Sequence, residues 1–364
     1  MRLWVRRFST YIAILLIALP IWGCAKVTPV ETTEENLPQS VIVVPPSTEE
    51  TTVDTTEEDT ENKFYNPLTG LYGTDDLSLR RPIVVMFDNF YSARPQAGLA
   101  KADVVYEILA EGLITRYMGV FYSQYPDHIG PVRSSRPYFV EKALEFDPYY
   151  IHVGGSMKAL SDIKKYQMAD IDGLSSGAYW RESHKKAPHN MYTSSDALLK
   201  EGTRLRYEVS STFEFQPFGD DFEALTGNEA SEITFVYKEP TQSDKIGYFT
   251  SYKYNDDSNL YYRYTNGEMH LDEDTQEHLS CTNILVQYAK TTVIDNEGRL
   301  SIDLISTGKG KYYSGGKYID VTWQKTSANA PTIFYDQSNK PIKLNPGKTW
   351  IQVVKTGNEE IIKQ

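Results

Sequence analysis

A chain of 364 residues with 37 basic and 49 acidic side chains carries a formal charge of −12. That balance excludes the basic face with which a general nucleic-acid binder neutralises phosphates. Only two cysteines exist, Cys24 and Cys281, so a disulfide framework is excluded and the fold must rely on its core.

The chain begins as an export signal. Arg2, Arg6 and Arg7 form a basic start, Phe8 to Ile21 is mostly apolar, and Gly23 precedes Cys24. The apolar run is short against the roughly 20 residues that span a bilayer. Residues 1–23 therefore read as a lipoprotein signal peptide, with Cys24 as the lipidated (palmitate-bearing) first residue of the mature chain. Residues 24–63 follow as a Thr-, Glu- and Pro-rich stretch with ten acids and two bases. That composition cannot bury enough apolar surface to order itself and predicts a disordered, self-repelling tether.

Residues 64–215 intersperse strand-like and helix-like runs, which predicts an N-terminal mixed α/β domain. RPIVVMFDN, DVVYEILA and ITRYMGVFYS read as strands, with Glu111-Gly112 as a hairpin tip between the last two. RPYFVEKALEF predicts a helix from Pro137 to about Phe146. YYIHVGG reads as a short strand, and Ser156 as the N-cap of a second helix. After a connector near 213–231, residues 230–357 hold short strands at turn-bounded intervals, including ITFVYK, IGYFTSYKY, NLYYRYTNGE, TNILVQYAKTTVI, GKYIDVTWQK and TWIQVV. They predict a smaller, β-rich C-terminal domain, a barrel or sandwich. The fold class expected is α+β. Cys281 lies in an apolar strand and reads as a buried, inert thiol.

Three groups of residues can carry chemistry. IGPVRSSRPYF at 129–139 sets Arg133, Ser134 and Arg136 in a turn, and IHVGGS sets His152, Gly154, Gly155 and Ser156 at a strand end that opens a helix. A helix start exposes backbone N–H groups at the positive end of its dipole, which suits an anion. WRESHKKAPHNMYTS at 180–194 adds Arg181, His184, His189 and Asn190. The third group is acidic: Asp88, Glu107 and Glu111, with the two glutamates expected on one face of a strand by their even spacing. They are either acid/base partners of His152 or His189, or ion-pair partners of Arg133 and Arg136. Ser-His-Asp triples can be assembled from these residues, but no nucleophile-elbow signature supports one. The spacing of His184 and His189 across Pro188 does not fit a helical zinc pair, so neither a metal nor a cofactor is expected. The tyrosines at 248, 252 and 254 share a strand face, as a packed core or as a stacking platform.

NPLTGL at 66–71, ARPQAGLAKADVVYEILAEGLITRYMGVF at 93–121, IGPVRSSRPYF, IHVGGS, WRESHKKAPHNMYTS and LNPGKTWIQVV occur in the order of the YerB-like bacterial lipoproteins, which the chain resembles from about Asn66 to Val354. That family consists of two domains of unknown function. The resemblance implies a lipid-anchored envelope protein at the outer face of the cytoplasmic membrane and gives no reaction.

Three functions follow as expectations. The first is a protein that binds an anionic envelope ligand (wall glycan, phosphate or carboxylate) through Arg133, Ser134, Arg136, His152, Gly154, Gly155, Ser156, Arg181, His189 and Asn190. The second is a hydrolase or transferase on a wall polymer, with His152, His189, Glu107 and Glu111 as candidate acid/base groups. The third is a structural or interaction lipoprotein whose charges pair internally. The expected partners are the membrane, through the lipid, and a cell-wall polymer or another envelope protein. Nucleic acid is not among them.

Overall fold

The computed structural model describes residues 63–364 apart from 243, 244 and 246. The signal, Cys24 and all but the last residue of the acidic stretch lie outside the described residues. No helix among the described residues is long and apolar enough to cross a membrane.

The first strands are β1 (Ile83–Phe87), β2 (Val104–Leu109) and β3 (Thr115–Phe121). All five residues of β1 are buried, as expected of a strand covered on both faces. The β2–β3 hairpin turns through Glu111–Leu113, where Gly112 takes φ +73°. Helix α1 (Pro137–Ala143) begins on a proline and runs into a 3₁₀ turn ending at Phe146. Then come β4 (Tyr149–His152), α2 (Met157–Lys165), β5 (Ala169–Asp172), the hairpin of β6 (Tyr179–Arg181) and β7 (Met191–Thr193), and α3 (Ser195–Arg204). Beyond residue 230 the principal strands are β8 (Glu232–Lys238), β9 (Tyr248–Asn255), β10 (Leu260–Thr265), β11 (Asn283–Ala289), β12 (Thr291–Val293), β13 (Leu300–Ile302), β14 (Thr307–Ser314), β15 (Lys317–Gln324) and β16 (Thr349–Lys355).

The C-terminal strands do not close into a barrel of their own. One 11-stranded mixed sheet runs 228–229, β15, β14, β11, β16, β2, β3, β1, β4, β5, with 333–335 paired to β15. Its middle is the parallel ladder of β16 on β2, Thr349 opposite Val104 through Val353 opposite Ile108. The two expected domain segments thus share a backbone ladder, and the described residues fall in one compact unit. Strands β8–β10, with 268–269, 280–281 and 361–363, make a second sheet of six.

The layers follow from side-chain alternation. One face of the large sheet packs against α1, α2 and β13 through Phe139, Ile163 and Ile302. The other packs against the six-stranded sheet and α3 through Phe235, Tyr252 and Leu198. The molecule is α+β in class but dominated by strands. Tyr248 and Tyr252 are 2 % and 0 % exposed, which makes them core rather than a stacking platform.

Candidate functional site

The Arg133–Arg136 turn is held by isolated bridges at the end of β1 and beyond the end of β4, Val132 opposite Phe87 and Ser135 opposite Gly155. Arg133 N donates to Met86 O (2.8 Å), Val153 N to Arg133 O (3.1 Å), and Ser135 N to Gly154 O (2.9 Å). The turn therefore lies against the 153–156 loop. Ser156 caps α2, its Oγ accepting from Ala159 N at 3.3 Å. The amides of Met157 and Lys158, one residue further in, lack intrahelical partners by the geometry of a helix start.

Glu111, Ser134, Arg136, Gly155 and Ser156 line one pocket of about 360 Å³, joined by Glu297 and Arg299. Arg136 forks onto Glu111: Nε donates to Oε1, and Nη2 to Oε2 at 3.1 Å. Its Nη1 reaches Ser135 O at 2.7 Å and Ser134 Oγ at 3.3 Å. Behind it, Arg116 Nη1 donates to Ser134 O (2.9 Å), and Nη2 lies 3.5 Å from Glu111 Oε2. Burial and the neighbouring Arg136 charge lower the Arg116 guanidinium to about 10, so it stays cationic at neutral pH. Burial works against the Glu111 charge, but the hydrogen bond from Arg136 and the two guanidinium charges outweigh it and hold that carboxyl below its ordinary value. The inner wall thus sets two cations on one carboxylate. The rim is the turn between β12 and β13, where Arg299 is shared by Asp295 (2.5 Å) and Glu297 (3.7 Å). Sequence reasoning missed Glu297 and Arg299. Their turn is legible, but nothing local says that it reaches a helix start more than 130 residues earlier in the chain.

Arg133 and His189 converge on Asp88 rather than on the pocket. His189 Nδ1 is 2.6 Å and Arg133 Nε 3.3 Å from Asp88 Oδ2. Phe90 stacks on the imidazole at 4.7 Å, and Phe90 N donates to Asp88 Oδ1 at 3.0 Å. This is a carboxylate–histidine pair with Nδ1 engaged and the ring 16 % exposed.

His152 does not reach the solvent. Its side chain is fully buried, with Nε2 2.6 Å from Asp170 Oδ1 and Nδ1 2.9 Å from Gly154 O. Both ring nitrogens face acceptors, which suits the imidazolium. Burial opposes that charge, but the hydrogen bond and charge of Asp170, with Asp172 and the Gly154 carbonyl, raise the ring above its ordinary value. Asp172 Oδ1 takes Gly154 N at 2.7 Å. His152 and Gly154, expected to touch a ligand, instead brace the loop beneath the pocket.

Arg181 and Asn190 stand apart as well. Arg181 Nη1 donates to Asn190 Oδ1 (2.7 Å), and Asn190 Nδ2 donates to Glu182 O (2.7 Å) and Lys185 O (3.2 Å). Asn190 closes its own loop, which uses up the amide expected for a ligand.

Glu107 is the clearest departure. It does not share a face with Glu111, because β2 ends at Leu109 and Glu111 sits in the turn. Glu107 is fully buried and pairs with Arg263 Nη2 at 2.6 Å. Its Oε1 also accepts from Thr115 (2.6 Å) and Tyr248 (2.5 Å), and its Oε2 from Gln352 Nε2 (3.0 Å). Arg263 lies over the Trp350 ring at 4.4 Å and donates to His270 Nδ1, while His270 Nε2 reaches Gln96 Oε1 at 2.8 Å. Burial and the Arg263 charge push His270 well below its ordinary value, keeping it neutral. This network joins the two sheets and is closed to a substrate. Cys281 is buried, and desolvation pushes its thiol up, away from reactivity.

Two larger depressions, of about 630 and 920 Å³, contain none of the residues singled out from sequence. The smaller pocket is favoured because, of the three, it alone is lined by any of them: Glu111, Ser134, Arg136, Gly155 and Ser156.

Comparison with known proteins agrees with the sequence resemblance. Residues 68–208 match the N-terminal domain, and 241–351 the C-terminal domain, of a family described as protein of unknown function DUF3048. The chain is 34 % identical over 298 residues to "Putative lipoprotein YerB" of Bacillus subtilis (strain 168), a match covering 81 % of this chain and 88 % of that one. The crystal structure of the YerB protein from B. subtilis superposes with a TM-score of 0.75 at 33 % identity, covering 83 % of this chain and 100 % of that chain. On these grounds the chain belongs to the YerB-like family of DUF3048 proteins.

Proposed function

We propose that this is a lipid-anchored envelope protein that binds an anionic group, a phosphate or a carboxylate, in the Glu111–Ser134–Arg136–Gly155–Ser156 pocket. The observation that carries the reading is the charge on the inner wall: Arg116 and Arg136 share the single carboxylate of Glu111 at the start of α2. An anion there gains the charge of Arg136, whose fork is engaged by Glu111, together with the Ser134 and Ser156 hydroxyls and the first-turn amides of α2. Arg116 contributes charge from behind rather than contact. The anchor at Cys24 places the site at the outer face of the cytoplasmic membrane, where anionic wall polymers and lipids are at hand. Calorimetric titration with inorganic phosphate and glycerol phosphate tests it. Binding that weakens about tenfold in Arg136→Ala, corresponding to about 1.4 kcal/mol, is expected from loss of a guanidinium charge beside the anion. No saturable binding by the unaltered chain overturns it.

One observation favours a second reading, acid–base catalysis on a wall polymer. Asp88 holds His189 by Nδ1 as a base is oriented in hydrolytic enzymes, with Arg133 on the same carboxylate. The partner is Asp88, in place of the Glu107 and Glu111 considered from sequence. Turnover of a wall fragment that is lost in both His189→Asn and Asp88→Asn supports this reading; absence of turnover by the unaltered chain removes it.

A further inference from the structure

Large apolar side chains exposed singly on a surface need no explanation, but a contiguous group does. Of the eighteen such side chains among the described residues, six lie on or against the segments that supply the pocket's lining: Leu113, Met157, Leu160, Leu174, Val293 and Ile294. Leu113 closes the turn that holds Glu111, and Met157 follows the capping Ser156. A Cβ placed on Gly155 would lie 3.3 Å from Leu160 Cδ2, and one on Gly154 2.8 Å from Leu174 Cδ1, so both leucines form the wall beside the loop. On the rim, Val293 pairs with Leu300, and Ile294 N donates to Arg299 O at 2.8 Å. Met157 is 86 % exposed and Leu174 72 %. A soluble phosphate makes no use of such a border.

We infer that this face seats on an anionic bilayer, the pocket taking a lipid phosphate and the six side chains entering the headgroup–acyl boundary. Arginine beside exposed Leu, Ile and Met is the pattern by which proteins lie at a membrane surface without crossing it. The chain supplies the proximity. Cys24, the expected point of lipid attachment, precedes the first described residue by 39 positions, so a lipid there keeps this face within reach of a bilayer. The inference rests on the anion-pocket reading and adds to it the source of the anion. It also assigns the apolar border to lipid in preference to a second copy or a partner protein.

The test is sedimentation of residues 24–364 carrying Cys24→Ser, which cannot be lipidated, with vesicles of phosphatidylcholine alone or with 30 % phosphatidylglycerol (a proportion set by the experimenter). Pelleting is expected with the anionic vesicles only. Leu174→Ser combined with Ile294→Ser should weaken it at least tenfold while leaving glycerol phosphate titration within twofold, and Arg136→Ala should weaken both. Glycerol phosphate binding with no vesicle binding, or vesicle binding unaffected by the double substitution, overturns the membrane inference and leaves the pocket intact. Self-association in solution that the double substitution dissolves assigns the border to a second copy and likewise overturns it. Failure to bind glycerol phosphate at all removes the pocket reading and the inference together.

Discussion

Two carboxylate–arginine clusters in this protein begin four residues apart, at Glu107 and Glu111, and end in opposite situations. Glu107 points into the layer between the two sheets, where one arginine meets one glutamate and threonine, tyrosine and glutamine side chains fill the remaining valences. Glu111 sits in a surface turn, where two arginines meet one carboxylate beside a helix start and an open pocket. In the first, the charges are matched and fully buried, and the pair links the two sheets. In the second, two guanidinium groups share one carboxylate and solvent has access, which is why the proposed reading puts a ligand there. The lesson is that an arginine–glutamate pair says nothing about function until its stoichiometry and exposure are known.

Breaking the buried cluster should have the largest effect. Glu107→Gln leaves the Arg263 charge without a counter-ion in a fully buried site, and we expect a loss of about 3–5 kcal/mol, read by urea unfolding. A loss below about 1 kcal/mol would mean that water enters the layer.

The histidines sharpen the comparison through pH. The His152 ring is raised in the folded state, so its contribution is fully present below the unfolded value near 6.5 and is lost as pH rises through the folded value. His270 is depressed, so its neutral form is favoured by folding, and stability falls as pH drops below about 6.5. Each slope is at most about 1.4 kcal/mol per pH unit. In His152→Asn, the decline of stability above pH 6.5 should flatten while the acid-side fall persists. A decline that is unchanged in this variant would show the ring to be neutral in the folded protein.

At the open cluster the same chemistry should cost little in folding. Arg136→Ala, expected to weaken anion binding tenfold, should change unfolding free energy by under about 1 kcal/mol, because a part-exposed pair is screened. A larger loss would place Arg136 with the structural class of Arg263. An effect of similar size is expected at Ser156→Ala, which removes the α2 cap at about 1 kcal/mol and draws the first-turn amides away from the pocket. Thermal unfolding and phosphate titration together separate the two consequences.

Much of the architecture was legible locally. The strands at 83–87, 104–109 and 115–121 follow from apolar runs, the helix at 137 from its proline, and the cap at 156 from its serine. From sequence, ten residues group as one ligand site, and the pocket is lined by four of them, Ser134, Arg136, Gly155 and Ser156. The placement of Glu107 was not legible, because its partner Arg263 is 156 residues away and any arginine in the chain would have served. Nor was the role of His152, whose burial depends on β5 bringing Asp170 and Asp172 alongside it.

The sequence by itself determined where strands, turns and caps form, since backbone preference and side-chain periodicity act over a few residues, and it placed the chain in its family through the order of its motifs. Tertiary structure alone decided that β16 lies parallel to β2 and joins both segments in one sheet. It also decided which carboxylate each arginine meets. Both are pairings between distant segments, and their energies depend on burial and geometry that no local stretch encodes.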